Sequence, residues 1–418
     1  MNFFNYGIFT VAMLFSIDGF AQYNLDICQA RAKENFPMVV QYGLIESSKE
    51  FRIENANKNY LPQISLSAKA SYQSEVTEIP ISMPGITINT LSKDQYSAVV
   101  QLDQIIWDGG MTSSQKEGIK AQTALEKSKL DVDVYALRER VNQLFFGIIL
   151  LNEQLRQTDI LKSDLNRSFN QVSAYMNNGL ANQSDIDAIK VEQINTLQRE
   201  TELLANKEAF ISMLSAMIGE EIKTDATFER PSDLTYSAEN IRPELVLFDA
   251  QRSFYDSQAS LISAKNRMKV GAYIQAGYGK PGLNMLKDDF SPFYMAGLKV
   301  AWNFGGLDTK KNELKLVDIN KKMADNQKDM FLYNSNLKST QQTVAINKIR
   351  TLMERDDELI SLRENIKRAA EIKLENGTIS VSELIREINL LDIARTNRAR
   401  HDIELMMAIY DLKNTTNN

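Results

Sequence analysis

From residue 95 to 106 apolar side chains recur at every second position, Tyr96, Ala98, Val100 and Leu102 alternating with Ser97, Gln101 and Asp103. A period of two predicts a strand with one apolar face. Past Trp107-Asp108-Gly109-Gly110 the period changes. Leu130, Val134, Leu137, Val141, Leu144, Ile148, Leu151, Leu155, Leu165, Phe169, Val172 and Met176 keep steps of three and four, interrupted only by Thr158 and Lys162. That spacing predicts a helix with a single apolar seam. No proline falls between Met111 and Asn178, so the helix can extend for ~100 Å at about 1.5 Å per residue.

The remaining chain prepares this unit or repeats it. Residues 24–37 predict a short amphipathic helix ended by Pro37, and 39–59 a second helix ended at Leu61-Pro62. In the strand at about 63–73, Ile64, Leu66, Ala68, Ala70 and Tyr72 alternate with Ser65, Ser67, Lys69 and Ser71. A loop with Pro80 and Pro84 leads to the strand at about 95–106. The long helix stops at Asn177-Asn178-Gly179, and another from Ser184 to Gly219 completes an antiparallel hairpin. Residues 220–240, with Pro231, predict a linker or small equatorial segment. Then the order returns: a helix over 241–269, strands at about 270–280 and 293–303, the turn Asn303-Phe304-Gly305-Gly306, a helix over 307–375, Asn376-Gly377, and a helix over 382–413. The chain is an internal duplication, with repeats at 22–219 and 241–414 and a tail at 415–418.

The four strands carry aromatic residues near their ends, Tyr72, Tyr96, Trp107, Tyr278, Tyr294 and Trp302. Strands of about ten residues with such rims match those of membrane barrels, and the aromatics are candidate membrane-interface residues. The alternative is a soluble sheet packed on helices, but the long helices have seams of their own to bury. Four strands cannot close a barrel in lipid, where closed barrels begin at about eight, so several copies must share one. Both ends of each strand hairpin join helices, which places every helix on one side of the membrane. Residues 1–21 read as an export signal, with an apolar core from Ile8 to Ile17 and Gly19-Phe20-Ala21 at the cut. For an exported protein that side is the periplasm.

Composition narrows the partners. The formal net charge of −6 and the pI near 5.3 give no basic footprint for nucleic acid. One His and one Cys furnish neither a zinc constellation nor a Cys-His pair. His401 lies mid-helix, and Asp108-Gly109-Gly110 lacks the length and the lysine of a phosphate loop. No cofactor, metal site or catalytic residue is expected, and an enzyme is not the reading. A coiled-coil scaffold of the cell envelope is the other reading, although it needs neither four strands nor an export signal.

The chain resembles the TolC-like outer-membrane efflux proteins. The resemblance rests on Leu25-Asp26-Ile27 through Asn35-Phe36-Pro37, Tyr60-Leu61-Pro62, the Trp-Asp-Gly-Gly turn, Gly179-Leu180 with Asp185, Arg242-Pro243-Glu244-Leu245, and Gly377-Thr378. It implies a mainly α protein with a membrane β-barrel portion: a homotrimer whose twelve strands form one barrel, continued by a periplasmic tunnel of coiled coils. It also implies outer-membrane lipid, a periplasmic adaptor, and an inner-membrane pump or ABC exporter as partners. The activity implied is that of an exit duct for small molecules or proteins, in efflux or in type I secretion.

In that family the helix-hairpin ends form a constricted periplasmic entrance with acidic residues facing the pore. The matching positions are Asp185 and Glu383, each six residues past the glycine of its hairpin turn, Gly179 or Gly377. Capping is the other reading, since acids are favoured in first turns by the helix dipole. A second acidic position of the family falls on Arg386, and the pair that locks its entrance falls on Leu374 and Ile379. These departures from the family's pattern lead to the expectation of an entrance made cation-selective by Asp185 and Glu383, partly offset by Arg386, and held closed by apolar packing rather than an ionic lock. Gly109, Gly110, Gly305 and Gly306 are expected to form the strand-to-helix turns.

Overall fold

A computed structural model describes residues 22–77, 90–232, 235–237 and 239–417. The expected signal at 1–21 lies outside the described residues. In chain order the elements are β1 (Gln22–Tyr23), α1 (Leu25–Asn35), α2 (Val40–Asn57), β2 (Gln63–Tyr72), β3 (Asp94–Trp107), α3 (Met111–Asn177), α4 (Gln183–Ile218), β4 (Thr227–Phe228), α5 (Pro243–Lys265), β5 (Lys269–Lys280), β6 (Ser291–Ala301), α6 (Gly305–Glu375) and α7 (Val381–Thr416). The sequence helix, two strands, long helix, 36-residue helix occurs twice, α4 and α7 being equal in length.

The described residues form two compact units that do not follow the sequence repeats: those of 22–39, 133–242 and 333–417 in one, those of 40–132 and 243–332 in the other. The first is helical. Its principal core gathers Val141, Phe145, Phe146 and Ile148 of α3, Ile211 and Leu214 of α4, Cys28 of α1 and Ile403 of α7. Phe145 stands edge-on to Phe146 and Phe228 at 5.8 and 5.6 Å. Within the 220–240 segment β4 pairs in parallel with β1, and Phe228 stacks on Tyr23 at 5.7 Å. Asn35 donates to the carbonyls of Ala216 and Met217 at 3.2 and 3.1 Å, satisfying the last turn of α4. Arg31 of α1 pairs with Glu220 just beyond it. At the seam's two interruptions, Thr158 is fully buried and back-bonds to the Gln154 carbonyl at 2.9 Å, while Lys162 reaches Glu200 on α4 at 2.9 Å.

The second unit holds the four-stranded sheet with α2, α5 and the N-terminal parts of α3, up to Val132, and α6, up to Leu332. Helix α2 runs antiparallel to α3, tied by Tyr42 to Asp131 and by Glu46 to Lys127 at 2.5 Å each. Helix α5 is strapped to α6 in the same way, Asp249, Arg252 and Asp256 meeting Lys328, Asp325 and Lys321 at 2.8, 3.1 and 2.5 Å. Partner numbers fall as the α5 numbers rise, as an antiparallel pair requires. Such exposed pairs contribute little each, about 0–1 kcal/mol, and here they fix register.

Candidate functional site: a two-faced sheet and two hairpin tips

The sheet order is β2-β3-β5-β6, all antiparallel, so the hairpins of the two repeats join through β3 and β5. Directly opposed residues share a face. Leu66, Val100 and Ala276 stand opposite one another in succession, as do Ile64, Leu102, Ile274 and Ala296. The four apolar rows predicted separately therefore land on one face. None of the described residues covers that face: Ile64, Leu66 and Leu298 are 74%, 77% and 76% exposed. An apolar surface of this extent marks contact with something apolar outside the chain. Around it Tyr72, Tyr96, Tyr278 and Tyr294 lie towards one end of the strands and Trp107 and Trp302 towards the other, all exposed.

Trp107 reaches this face through a feature the alternation does not reveal. The register slips between Ile105 and Trp107, setting Trp107 rather than Ile106 opposite Val270. A bulge turns a side chain to the other face of a sheet. Gln104, a polar residue on the apolar face, donates to the carbonyls of Tyr60 and Ile105 at 2.9 Å.

The two strand-to-helix turns differ, which corrects the expectation that all four glycines make turns. In the first, Asp108 is buried and accepts from the amides of Gly110, Met111 and Thr112 at 2.9, 3.1 and 2.6 Å and from the Tyr60 hydroxyl at 2.9 Å. Burial alone would raise its pKa, but the bonds from Thr112, Tyr60 and Gly110 outweigh it and hold the carboxyl below its usual value. Gly109 and Gly110 take left-handed φ of 75° and 83°, a region open to glycine. In the second turn Phe304 is inserted between cap and glycines. Asn303 accepts from the Gly305 amide at 3.1 Å, and α6 begins at Gly305, so Gly305 and Gly306 are its first helical residues. Phe304 packs on Trp302 at 4.7 Å, and Trp302 donates to the Asn266 carbonyl at 3.2 Å.

The helix-hairpin turns lie in the helical unit. Gly179 and Gly377 have φ of 75° and 66°. Asp185 and Glu383 both occupy capping boxes: the Asp185 carboxylate accepts from the Asn182 amide at 3.0 Å, and that of Glu383 from the Ser380 amide at 2.9 Å. Arg386 donates to Glu387 at 3.0 Å, and Glu387, largely buried, also meets Arg363 at 3.4 Å. Among the described residues no ion pair joins Arg386 to Asp185 or Glu383. Leu374 is buried in a cluster with Val172, Ile186, Leu384 and Ile388, against which Ile379 packs. Nothing local in the sequence marks Glu387 as a carboxylate that Arg363, 24 residues away on the neighbouring helix, will pair.

Burial pushes the Cys28 thiol up to about 11, against the lowering pull of Arg31, which keeps it protonated and unreactive at neutral pH. His401 Nδ1 lies 2.6 Å from an Asp356 carboxylate oxygen, both side chains nearly enclosed. Among the described residues no helix is long and apolar enough to cross a membrane.

Comparison with known proteins adds the following. The family model of outer membrane efflux proteins matches residues 32–219. Comparison with curated proteins gives no match. Among solved structures the chain is similar to CusC, described for transmembrane channel formation, with a TM-score of 0.72 at 11% identity over 95% of this chain and 92% of that one. It is similar to the outer membrane protein VceC of Vibrio cholerae, with a TM-score of 0.66 at 12% identity over 93% and 95%. The open-state MtrE outer membrane channel of Neisseria gonorrhoeae gives 0.64 at 12% identity over 94% and 88%. In sequence over residues 32–219 and in fold over nearly its whole length, this chain resembles the TolC-like outer-membrane efflux proteins.

Proposed function

We propose that the protein is the outer-membrane exit duct of an export machine. Three copies each contribute β2, β3, β5 and β6 to one twelve-stranded barrel, and the helices extend into the periplasm. The observation that carries this reading is the sheet: four apolar rows on one exposed face, aromatic residues at both rims, and outer strands β2 and β6 each paired on one side only. Unpaired strand edges are not tolerated in lipid, and pairing β6 of one copy with β2 of the next removes them. The adaptor and an inner-membrane pump or ABC exporter supply energy and choose the cargo, so the duct itself needs no cofactor and carries out no reaction. The repeats at 22–219 and 241–414 each furnish one strand hairpin and one helix hairpin to this assembly.

The hairpin tips form the periplasmic entrance in this reading. Asp185 and Glu383 play both parts considered above, since a carboxylate that caps its helix still carries its charge. Arg386 is committed to Glu387 and offsets them little, and Leu374 and Ile379 hold the tips by apolar packing. Native mass measurement in detergent tests the assembly: a trimer that conducts in a planar bilayer is expected, and a stable monomer would contradict the duct. Replacing Asp185 with Asn and Glu383 with Gln together should lower cation preference in an intact trimer. Unchanged selectivity would leave these two residues as caps alone.

A further inference from the structure

The face of the sheet opposite the apolar rows is not uniform. On β2 and β3 it is mainly polar: Gln63 stands opposite Asp103, Ser65 opposite Gln101, and Lys69 opposite Ser97, with Val99, opposite Ser67, and Ile105 the apolar exceptions. On β5 and β6 the succession is different. Lys269 stands opposite Ala301, Gly271 opposite Lys299, Tyr273 opposite Gly297, Gln275 opposite Met295, and Gly277 opposite Phe293. Two rings and a thioether thus occupy three consecutive rows, and two lysines, diagonal neighbours across the strands, occupy the rows beside them.

The rings lie down because the residues opposite have no side chain. A Cβ on Gly297 would stand 2.9 Å from the Tyr273 ring and hydroxyl, and one on Gly277 would stand 2.5 Å from Cζ of Phe293. Each aromatic therefore covers a glycine of the neighbouring strand and presents its flat side, half exposed, instead of projecting from the wall. Met295, 38% exposed, lies between them. At the foot of this panel a hollow of about 190 Å³ includes Asp103, Lys269, Gly271 and Lys299 in its lining. On this face Lys69, Lys269 and Lys299 outnumber the one carboxylate, Asp103.

We propose that Tyr273, Met295 and Phe293, with Lys269 and Lys299, form a contact panel for an amphipathic organic anion carrying a flat apolar surface. The solute's apolar plane rests on the rings and the thioether while its anionic group is held at the lysines. The inference rests on the duct reading, in which this face lines the water-filled barrel and the apolar rows face lipid. The panel lies on one hairpin only, so a threefold barrel presents three such panels separated by three mainly polar ones without rings. A passing solute of this chemistry is retarded at the wall, whereas a small ion without an apolar face is not.

The test is single-channel recording in planar bilayers, with 8-anilinonaphthalene-1-sulfonate as the amphipathic anion and methanesulfonate as the anion without rings, each added on the barrel side. The parent channel should show discrete interruptions of current with the naphthalene compound and none with methanesulfonate. Serine at both Tyr273 and Phe293 should shorten the interruptions about tenfold, the loss of one or two ring contacts. Native mass in detergent checks that this variant assembles. Exchanging the rings instead, Tyr273→Phe with Phe293→Tyr, should restore them. If the serine variant fails to assemble, the single substitution Met295→Gln, at an exposed position, should still shorten the interruptions. A conducting parent channel without interruptions, or interruptions of equal length in an assembled serine or glutamine variant, would overturn the panel while leaving the duct intact. A parent protein that forms no channel would overturn the duct and the panel with it.

Discussion

The helical core and the sheet use apolar residues at equally regular spacing to opposite ends. Around Phe145 and Phe146 the side chains are withdrawn from water by α1, α4 and α7 of the same chain, and their burial, at about 25 cal/mol per Å² of apolar surface, stabilises the fold directly. Along β2, β3, β5 and β6 the apolar rows are exposed, and none of the described residues covers them. In the duct proposed above that burial comes from lipid, and the sheet's stability would then belong to the assembled, inserted protein. The spacing of hydrophobic residues tells what an element can bury, and only register and exposure tell against what.

Substitutions can separate the two environments. The largest effect is expected in the core: Phe145→Ala, removing a ring wholly enclosed between Phe146 and Phe228, should cost about 3–5 kcal/mol. The loss should appear in thermal unfolding whether or not the protein is in a membrane. Next, Leu298→Lys should cost about 2–4 kcal/mol in the bilayer if it sits near the midplane, read as reduced insertion and trimer yield. Lysine at Gln101, on the opposite face, should be tolerated. Equal tolerance at both positions would mean that the faces are wrongly assigned.

A smaller effect belongs to the turn at Asp108. Its loss to Ala should cost about 1–2 kcal/mol as a removed helix cap, with the Tyr60 hydroxyl losing its partner as well. Because the folded carboxyl titrates below its unfolded value of about 3.9, its stabilisation is fully present above that value. It is lost as pH falls through the lower folded pKa. Melting curves of parent and Asp108→Asn should therefore differ at neutral pH and converge under acid. The smallest effect is expected at the straps between α5 and α6, where Arg252→Ala should change stability by less than about 1 kcal/mol.

Much of the fold was legible in the chain because its elements are long and strictly periodic. The rows at Ile64, Tyr96, Val270 and Tyr294 announce strands, and the seam from Leu130 to Met176 announces α3, without reference to any partner. What was not legible depends on residues far away in sequence. The bulge that turns Trp107 outward exists only against Val270. The inserted Phe304 moves a cap from one geometry to another, and two similar turns consequently begin their helices differently. At the hairpin tips the first-turn positions of Asp185 and Glu383 could be read, and the capping boxes follow from Asn182 and Ser380. The Arg386–Glu387–Arg363 contacts could not be read, because they need α6 and α7 side by side.

The central claim is that the sheet is a segment of a barrel wall with lipid on one side and water on the other. Spin labels placed one at a time at Ala98, Gln101, Leu298 and Ser67 in the reconstituted protein test it most directly, with Cys28 replaced to keep labelling specific. The account predicts high accessibility to oxygen and low accessibility to a water-soluble nickel chelate at Ala98 and Leu298, with the reverse at Gln101 and Ser67. Uniform chelate accessibility at all four positions would contradict it.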